Sequence, residues 1–118
     1  MNQKSPGNLS AKDLHGWLQE TGGVQPLVID VREDDELEIA PFPFSVMHLP
    51  LSKSSQWIGS LHERIPSNTE VVVICHAGIR SWRFGTWLIN QNWGCVVWNL
   101  VGGIDAWSTE VDSTCPRY

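Results

Sequence analysis

The sequence predicts an α/β domain built on a parallel β-sheet with helices on both faces. Two apolar runs, residues 27–31 (LVIDV) and 71–75 (VVVIC), are nearly continuous, which is typical of strands buried on both faces of a parallel sheet. Segments with a helical pattern separate the strand-like runs, and this alternation indicates βαβ units. The chain has 118 residues, of which 42% are hydrophobic, and this is sufficient for the packed core of one domain.

The first helix is predicted over residues 11–20. Ser10 followed by Asp13 resembles a capping box, and the apolar residues beyond it recur at helical spacing. Residues 21–23 (TGG) end this helix. We expect residues 1–8 to form a flexible tail in front of the domain.

The first buried strand carries a polar residue, Asp30, close to its end, and this makes Asp30 a candidate site residue. Residues 32–40 are acidic and predict a short helical turn, after which two prolines impose an extended path. Acidic side chains here need no ligand, because a solvated face explains them. Residues 46–51 predict a second, short strand.

The second half of the chain repeats the alternation. Serines at 52, 54 and 55 are suitable caps for a helix that ends at the turn formed by residues 66–68 (PSN). Residues 71–75 are the strongest strand signal, and a helix over about residues 81–91 follows.

A last strand is predicted over residues 95–100 (CVVWNL), preceded by Asn92 as the left-handed residue that closes the helix. The pair Gly102-Gly103 then predicts a tight turn from strand to helix. The domain is expected over residues 9–108, with residues 109–118 as a C-terminal tail.

Composition excludes several partners and sites. Eight basic and thirteen acidic residues give a net charge of -5, which disfavours nucleic acid and anionic lipid as partners. No apolar run approaches the roughly 20 residues that span a bilayer. The histidines form no HxxxH pair and no CxxC motif is present, so we expect no metal and no cofactor. Three widely spaced cysteines favour a reducing compartment, and we expect a cytoplasmic protein.

The chemistry is expected at Cys75, where a buried strand leads into a short loop that opens a helix. Loop N–H groups and the positive end of the helix dipole favour an anion at this point, and hence the thiolate or a charged persulfide. Gly78 allows the loop to close tightly, and Arg80 can brace it through carbonyls or an acidic neighbour. We expect His76 to be a solvated loop residue, with a minor role in attracting anionic donors as the alternative.

Three motifs resemble those of the rhodanese, or thiosulfate sulfurtransferase, homology domain over about residues 9–107. Residues 27–38 (LVIDVREDDELE), which lead to residues 48–51 (HLPL), are similar to the early signature of that family. Residues 75–81 (CHAGIRS) are similar to its active-site loop, and residues 100–107 (LVGGIDAW) to its closing signature.

The resemblance implies a five-stranded parallel sheet flanked by helices, and a catalytic Cys75 that becomes a persulfide. It places the substrate pocket over the loop and gives Asp30 and Arg32 a supporting role. The residues expected to bind substrate are His76, Ala77, Gly78, Ile79, Arg80 and Ser81.

The loop departs from members specialised for thiosulfate, because Ala77 and Ile79 stand where cations can occur. Thiosulfate is therefore expected to be a poor donor, and persulfides better ones.

The predicted function is a single-domain sulfurtransferase. It would move a sulfane sulfur from a small donor, such as thiosulfate or a persulfide, to a thiol or cyanide acceptor, with a sulfur-relay protein as a further possible partner. One alternative is a sulfur carrier, sensor or docking module of the same fold without turnover. Another is phosphate or arsenate chemistry, disfavoured because related phosphatases have one more residue between the cysteine and the arginine.

The two other cysteines, Cys95 and Cys115, are not expected to take part in the chemistry of Cys75. Cys95 lies in an apolar strand and is predicted to pack in the core. Cys115 lies in the polar tail and is predicted to be exposed, so that it could exchange sulfur with Cys75 only if the tail folded back.

Overall fold

A computed structural model describes residues 3–118 of the chain, and these residues contain five strands. The strands are β1 (Gly7–Leu9), β2 (Leu27–Asp30), β3 (Met47–His48), β4 (Glu70–Ile74) and β5 (Val96–Leu100). They form one sheet in the order β1-β5-β4-β2-β3, and every neighbouring pair is parallel. The predicted parallel sheet is confirmed.

Helices cover both faces of the sheet. They are α1 (Ala11–Gln19), α2 (Asp34–Ile39), α3 (Ser54–Trp57), α4 (Leu61–Arg64), α5 (Ile79–Ile89) and α6 (Gly103–Glu110), with 3₁₀ turns at Leu51–Lys53 and Ile58–Ser60. Ser10 caps α1 as predicted, because its side chain accepts a hydrogen bond from the Asp13 amide at 3.1 Å. Within the described residues, no helix is both long and apolar enough to cross a bilayer.

The buried side chains form two clusters, one on each face of the sheet. On one face, Val73 of the sheet packs in the same cluster as Leu61 of α4 and Leu88 of α5. On the other, Val72 packs in the same cluster as Trp107 of α6. Adjacent residues of β4 therefore face opposite cores, which explains why this strand is apolar without interruption.

The strand order places β4 in the middle of the sheet, between β2 and β5. Asp30, at the end of β2, lies beside Ile74, the last residue of β4. Cys75 therefore follows the central strand at its carboxyl end, which is the edge where open α/β sheets bind ligands.

The expected N-terminal tail is too long, because Gly7 and Asn8 belong to β1. These residues pair with Trp98 and Asn99 of β5 and supply the fifth strand of the sheet. A strand of three residues at a sheet edge has no hydrophobic period that sequence patterns could detect.

The predicted helix after Ser52 is divided into short turns between residues 51 and 64. Trp57 is buried there, and its indole N–H donates to the Pro50 carbonyl at 2.9 Å. Leu61 and Ile65 follow at intervals of four residues and are also buried, so the apolar face is kept although the helix is interrupted.

The expected C-terminal tail is also wrong in part, since α6 continues to Glu110 and the chain beyond it is packed against the domain. Cys115 is buried rather than exposed, with 6% of its surface accessible. The Ser108 hydroxyl donates to the Cys115 carbonyl at 2.5 Å. This hydrogen bond holds residue 115 against α6, and the segment is therefore packed on the domain instead of forming a tail.

Candidate functional site

The central element of the site is the loop that joins β4 to α5. Cys75 follows β4 directly and is only 1% exposed. Gly78 is the N-cap of α5 and has a φ of 93°, a left-handed conformation that favours glycine. A side chain there would also meet the Gly102 nitrogen at 3.0 Å, so the loop closes against the turn that follows β5. The helix begins at Ile79, two residues before the predicted start.

The sulfur of Cys75 lies in a ring of hydrogen-bonding groups. The backbone N–H of Gly78 donates to Sγ at 3.1 Å, and the N–H of Ser81 donates to it at 3.3 Å. The Ser81 hydroxyl oxygen lies 3.2 Å from the same sulfur and can accept from the thiol, because its own proton is donated to Asn99 Oδ1. The two amides therefore direct the positive ends of their N–H dipoles at the Cys75 sulfur.

Asn99 on β5 is part of this ring of contacts, and the sequence reading missed it. The Ser81 hydroxyl donates to Asn99 Oδ1 at 2.6 Å, and Asn99 Nδ2 donates to the Gly78 carbonyl at 3.1 Å. Asn99 is 5% exposed and therefore a buried polar residue in an apolar strand. That same signal singled out Asp30 and could have found Asn99.

The first turn of α6 holds the other side of the loop. The N–H of Ile104 donates to the Cys75 carbonyl at 2.8 Å, and the N–H of Asp105 donates to the His76 carbonyl at 3.0 Å. Gly103 has a φ of 59°, and a Cβ placed on it would lie 2.4 Å from the Cys75 carbonyl oxygen. The Gly102-Gly103 pair is a tight turn, as predicted, and it also supports the loop that joins β4 to α5.

Arg80 is paired with a carboxylate from α2. Its two terminal nitrogens donate to the Glu36 oxygens at 2.7 and 2.8 Å. The hydrogen bonds from Arg80 hold the pKa of Glu36 at about 2 and raise the pKa of Arg80 above its ordinary value. Glu36 is not a solvated acidic residue as expected, because its side chain is only 16% exposed.

Asp30 and Arg32 form a second buried ion pair at the end of β2. Arg32 Nη2 donates to Asp30 Oδ2 at 2.8 Å, and neither side chain is exposed. A further nitrogen, Nη1, donates to the Tyr118 hydroxyl at 3.1 Å. The ion pair is therefore connected with Tyr118 through Arg32.

The remaining loop residues differ in exposure. His76 is partly buried rather than solvated, because the Tyr118 ring stacks on it with centroids 4.0 Å apart and planes at 13°. Ala77 is exposed, and Ile79 is 63% exposed. The outer surface of the loop is therefore uncharged at these two residues.

A groove of about 330 Å³ adjoins the loop at Arg80. Its walls are mostly apolar and come from the first turns of α5 and from the chain between residues 51 and 58. The residues that line it are Leu51, Ser54, Trp57, Ile58, Arg80, Arg83, Phe84 and Trp87.

A buried cysteine at the end of a central parallel strand, with loop amides directed at its sulfur, defines an α/β protein with a cysteine-loop site. The profile of the Rhodanese-like domain family matches residues 10–110, which is most of the chain. The chain therefore belongs to the rhodanese-like family, and the resemblance read from its motifs is confirmed.

Known relatives agree with this assignment. The chain is similar to a "Sulfurtransferase" of Allochromatium vinosum, with 33% identity over 103 residues that cover 85% of this chain and 86% of the relative. It is also similar to the "Rhodanese-like/PpiC domain-containing protein 12, chloroplastic" of Arabidopsis thaliana, with 33% identity over 113 residues. That match covers 94% of this chain but only 37% of the longer relative.

Among solved structures, a rhodanese-like domain protein from Staphylococcus aureus has the same fold. The two superpose with a TM-score of 0.71 at 23% identity, and the match covers 89% of this chain and 94% of the other. The rhodanese-like family and its members named as sulfurtransferases support sulfur transfer as an activity at the level of the family.

Proposed function

We propose that this protein is a sulfurtransferase that carries a sulfane sulfur on Cys75 as a persulfide. The observation that carries the proposal is the pair of N–H groups, from Gly78 and Ser81, that lie 3.1 and 3.3 Å from the Cys75 sulfur. Donors fixed at this spot stabilise a thiolate before the reaction and a charged terminal sulfur after it.

In the first step, the Cys75 thiolate attacks the outer sulfur of the donor. With an organic thiosulfonate, RSO₂S⁻, a new bond forms between Sγ and this outer sulfur. The original S–S bond of the donor breaks, and its electron pair leaves on the sulfinate, RSO₂⁻. The enzyme then holds Cys75–S–S⁻, and no external oxidant is required.

In the second step, a nucleophilic acceptor attacks the terminal sulfur of the persulfide. Cyanide gives thiocyanate and a thiolate gives a new persulfide, and the electron pair of the broken S–S bond returns to the Cys75 thiolate. The loop amides serve both steps, because negative charge is present on the Cys75 side chain before and after transfer.

The charge of the loop favours monoanionic organic donors over thiosulfate. The guanidinium of Arg80 is already neutralised by Glu36, and Ala77 and Ile79 supply no charge. A dianion loses strong hydration on entering such a site, and each missing charge-assisted hydrogen bond costs about 1.5–3 kcal/mol. One such loss weakens binding by roughly tenfold or more.

The groove beside Arg80 suits the apolar body of such a donor. Its volume of about 330 Å³ is in the range of small-molecule sites, and Trp57, Phe84 and Trp87 supply aromatic walls. We therefore propose organic persulfides or thiosulfonates as the donor class. We also propose a reducing, cytoplasmic setting, because Cys75, Cys95 and Cys115 are all free thiols.

Mass spectrometry of the intact protein tests the assignment of the nucleophile. After incubation with donor, the wild type is expected to gain the mass of one sulfur atom, and Cys75→Ser to gain none. Cys95→Ser and Cys115→Ser are matched controls that should load normally, because burial raises the pKa of both thiols and leaves them poor nucleophiles. Loading of Cys75→Ser, or loss of loading in the Cys115 variant, would show that Cys75 is not the acceptor.

The same assay, run with thiosulfate, methanethiosulfonate and benzenethiosulfonate, tests the donor class. Benzenethiosulfonate should load fastest at low concentration, and Ile58→Ser should remove this advantage, since Ile58 lines the groove and is 43% exposed. Val96→Ser is the control, because Val96 is 47% exposed and lies outside the groove. Equal rates for all three donors would contradict the proposed donor class. Turnover with cyanide separates an enzyme from a carrier that loads once.

A further inference from the structure

The segment after α6, residues 111–118, reaches back to the catalytic loop. Arg117 donates to the Asp105 carboxylate at 2.8 Å, which anchors the segment on the first turn of α6. The chain then places Tyr118 over His76, the residue that follows Cys75. A segment expected to be a tail therefore lies against the proposed site.

Tyr118 contacts the two ends of the loop in different ways. Its ring stacks on His76 with centroids 4.0 Å apart, which is contact with the beginning of the loop. Its hydroxyl donates to Glu36 Oε2 at 2.9 Å, and the same oxygen accepts from Arg80 Nη2 at 2.8 Å. One residue therefore touches the start of the loop directly and its end through one carboxylate.

The Tyr118 hydroxyl hydrogen-bonds to two charged groups, the Glu36 carboxylate and the Arg32 guanidinium. Glu36 accepts hydrogen bonds from Arg80, from its own helix cap at Glu33 N (3.1 Å) and from Tyr118. Arg32 Nη1 donates to the Tyr118 oxygen at 3.1 Å. Burial raises the pKa of Tyr118 to about 12, so the hydroxyl keeps its proton at neutral pH and can donate to Glu36 while it accepts from Arg32.

We propose that Tyr118 is a positioning residue for the proposed sulfur transfer. It holds His76 and the Glu36–Arg80 pair in place, and through them the loop conformation that directs the amides of Gly78 and Ser81 at the Cys75 sulfur. The proposal rests on the proposed function for its kinetic effect. Tyr118 itself does not contact the sulfur. It acts on Gly78 and Ser81, which do contact the sulfur, through the neighbouring residues of the loop.

The test compares Tyr118→Phe with Tyr118→Leu. Phenylalanine keeps the ring on His76 but removes the hydroxyl, whereas leucine removes both contacts. We expect Tyr118→Phe to lower the rate of persulfide formation at saturating benzenethiosulfonate by about two- to tenfold, with the donor concentration for half-maximal rate unchanged. Persulfide formation should be slower still in Tyr118→Leu. The difference between the two variants then measures the contribution of the aromatic ring alone.

Two further measurements separate positioning from general stability. The backbone N–H resonances of Gly78 and Ser81 should shift in both Tyr118 variants but not in the control Val24→Ser, because Val24 is 89% exposed and takes no part in the contacts of Tyr118. Urea unfolding of each variant gives the folded fraction for which the rates are corrected. If Tyr118→Leu does not fold, Tyr118→Phe still tests the hydroxyl.

Each outcome has a distinct meaning. A wild-type rate in Tyr118→Phe, with unmoved Gly78 and Ser81 resonances, overturns the positioning role. A change only in the donor concentration for half-maximal rate also overturns it, because Tyr118 would then bind the donor. If the wild-type protein takes up no sulfur, the proposed function fails, and the resonances alone decide whether Tyr118 positions the loop.

Discussion

Replacement of Gly103 by alanine is the sharpest test of the contact between α6 and the loop that joins β4 to α5. A Cβ at this residue would lie 2.4 Å from the carbonyl oxygen of Cys75 and 2.5 Å from that of His76. Both obstacles are backbone atoms, which cannot rotate away as a side chain would. Both carbonyls also accept hydrogen bonds from the first turn of α6, so the loop and the helix have to separate.

The expected loss of stability is the sum of two effects. The φ of 59° at Gly103 is left-handed, and a residue with a Cβ pays about 1–2 kcal/mol there. Forcing a methyl group into closely packed surroundings costs about 1–3 kcal/mol more. We therefore expect Gly103→Ala to lower the free energy of unfolding by about 2–5 kcal/mol and to slow persulfide formation on Cys75.

Urea denaturation followed by tryptophan fluorescence measures this loss, with Gly16→Ala as the matched control. Gly16 lies in the interior of α1, and a Cβ there meets nothing within 4 Å. Alanine should stabilise that helix by about 0.5–1 kcal/mol, and Gly103→Ala can be made in this background if it unfolds alone. If Gly103→Ala matched the wild type in stability and in sulfur loading, the close approach of α6 to the loop would be refuted.

Two further predictions concern the residues around the loop. Glu36→Gln should be about 1–3 kcal/mol less stable than the wild type at pH 7. Because the pKa of Glu36 is held at about 2 in the folded protein, below its ordinary value of 4.5, its contribution is present above pH 4.5 and is lost as the pH falls toward 2. The free energies of unfolding of the wild type and of Glu36→Gln should therefore converge as the pH falls below 4.5. A difference that stays constant with pH would contradict the ion pair with Arg80. Ser81→Ala removes a hydroxyl 3.2 Å from the Cys75 sulfur and leaves Asn99 Oδ1 without its donor, so persulfide formation should slow by about tenfold. An unchanged rate at saturating donor would exclude a role for this hydroxyl.

Local patterns in the sequence predicted most of the fold. The short apolar run that ends at Cys75, rich in β-branched residues, was sufficient to predict a buried strand, because a strand buried on both faces lacks polar alternation. The loop and helix that follow it are contiguous in sequence, so the surroundings of the sulfur could be predicted from neighbouring residues. Contacts of Cys75 with Gly78 and Ser81 span three and six residues.

The partners of the loop could not be predicted in this way. Glu36 and Arg80 are 44 residues apart in sequence, and Tyr118 is 82 residues from Glu36. No period or motif relates such residues. Arg80 was expected to meet carbonyls or an acidic neighbour, but Glu36 looked like an ordinary surface residue and Tyr118 like an ordinary tail residue. Their contacts exist because the parallel sheet brings the ends of β2 and β4 together.

The structures of β1 and of Cys115 likewise depend on contacts between segments that are remote in the sequence. Gly7 belongs to a strand because it pairs with Trp98 of β5, and Cys115 is buried because it packs in the same cluster as Trp107 of α6. The sequence by itself determined the elements whose burial pattern is local, together with the cysteine that follows one of them and that we propose as the nucleophile. The tertiary structure decided which charged and polar groups meet, since those pairings depend on distances between segments that are remote along the chain.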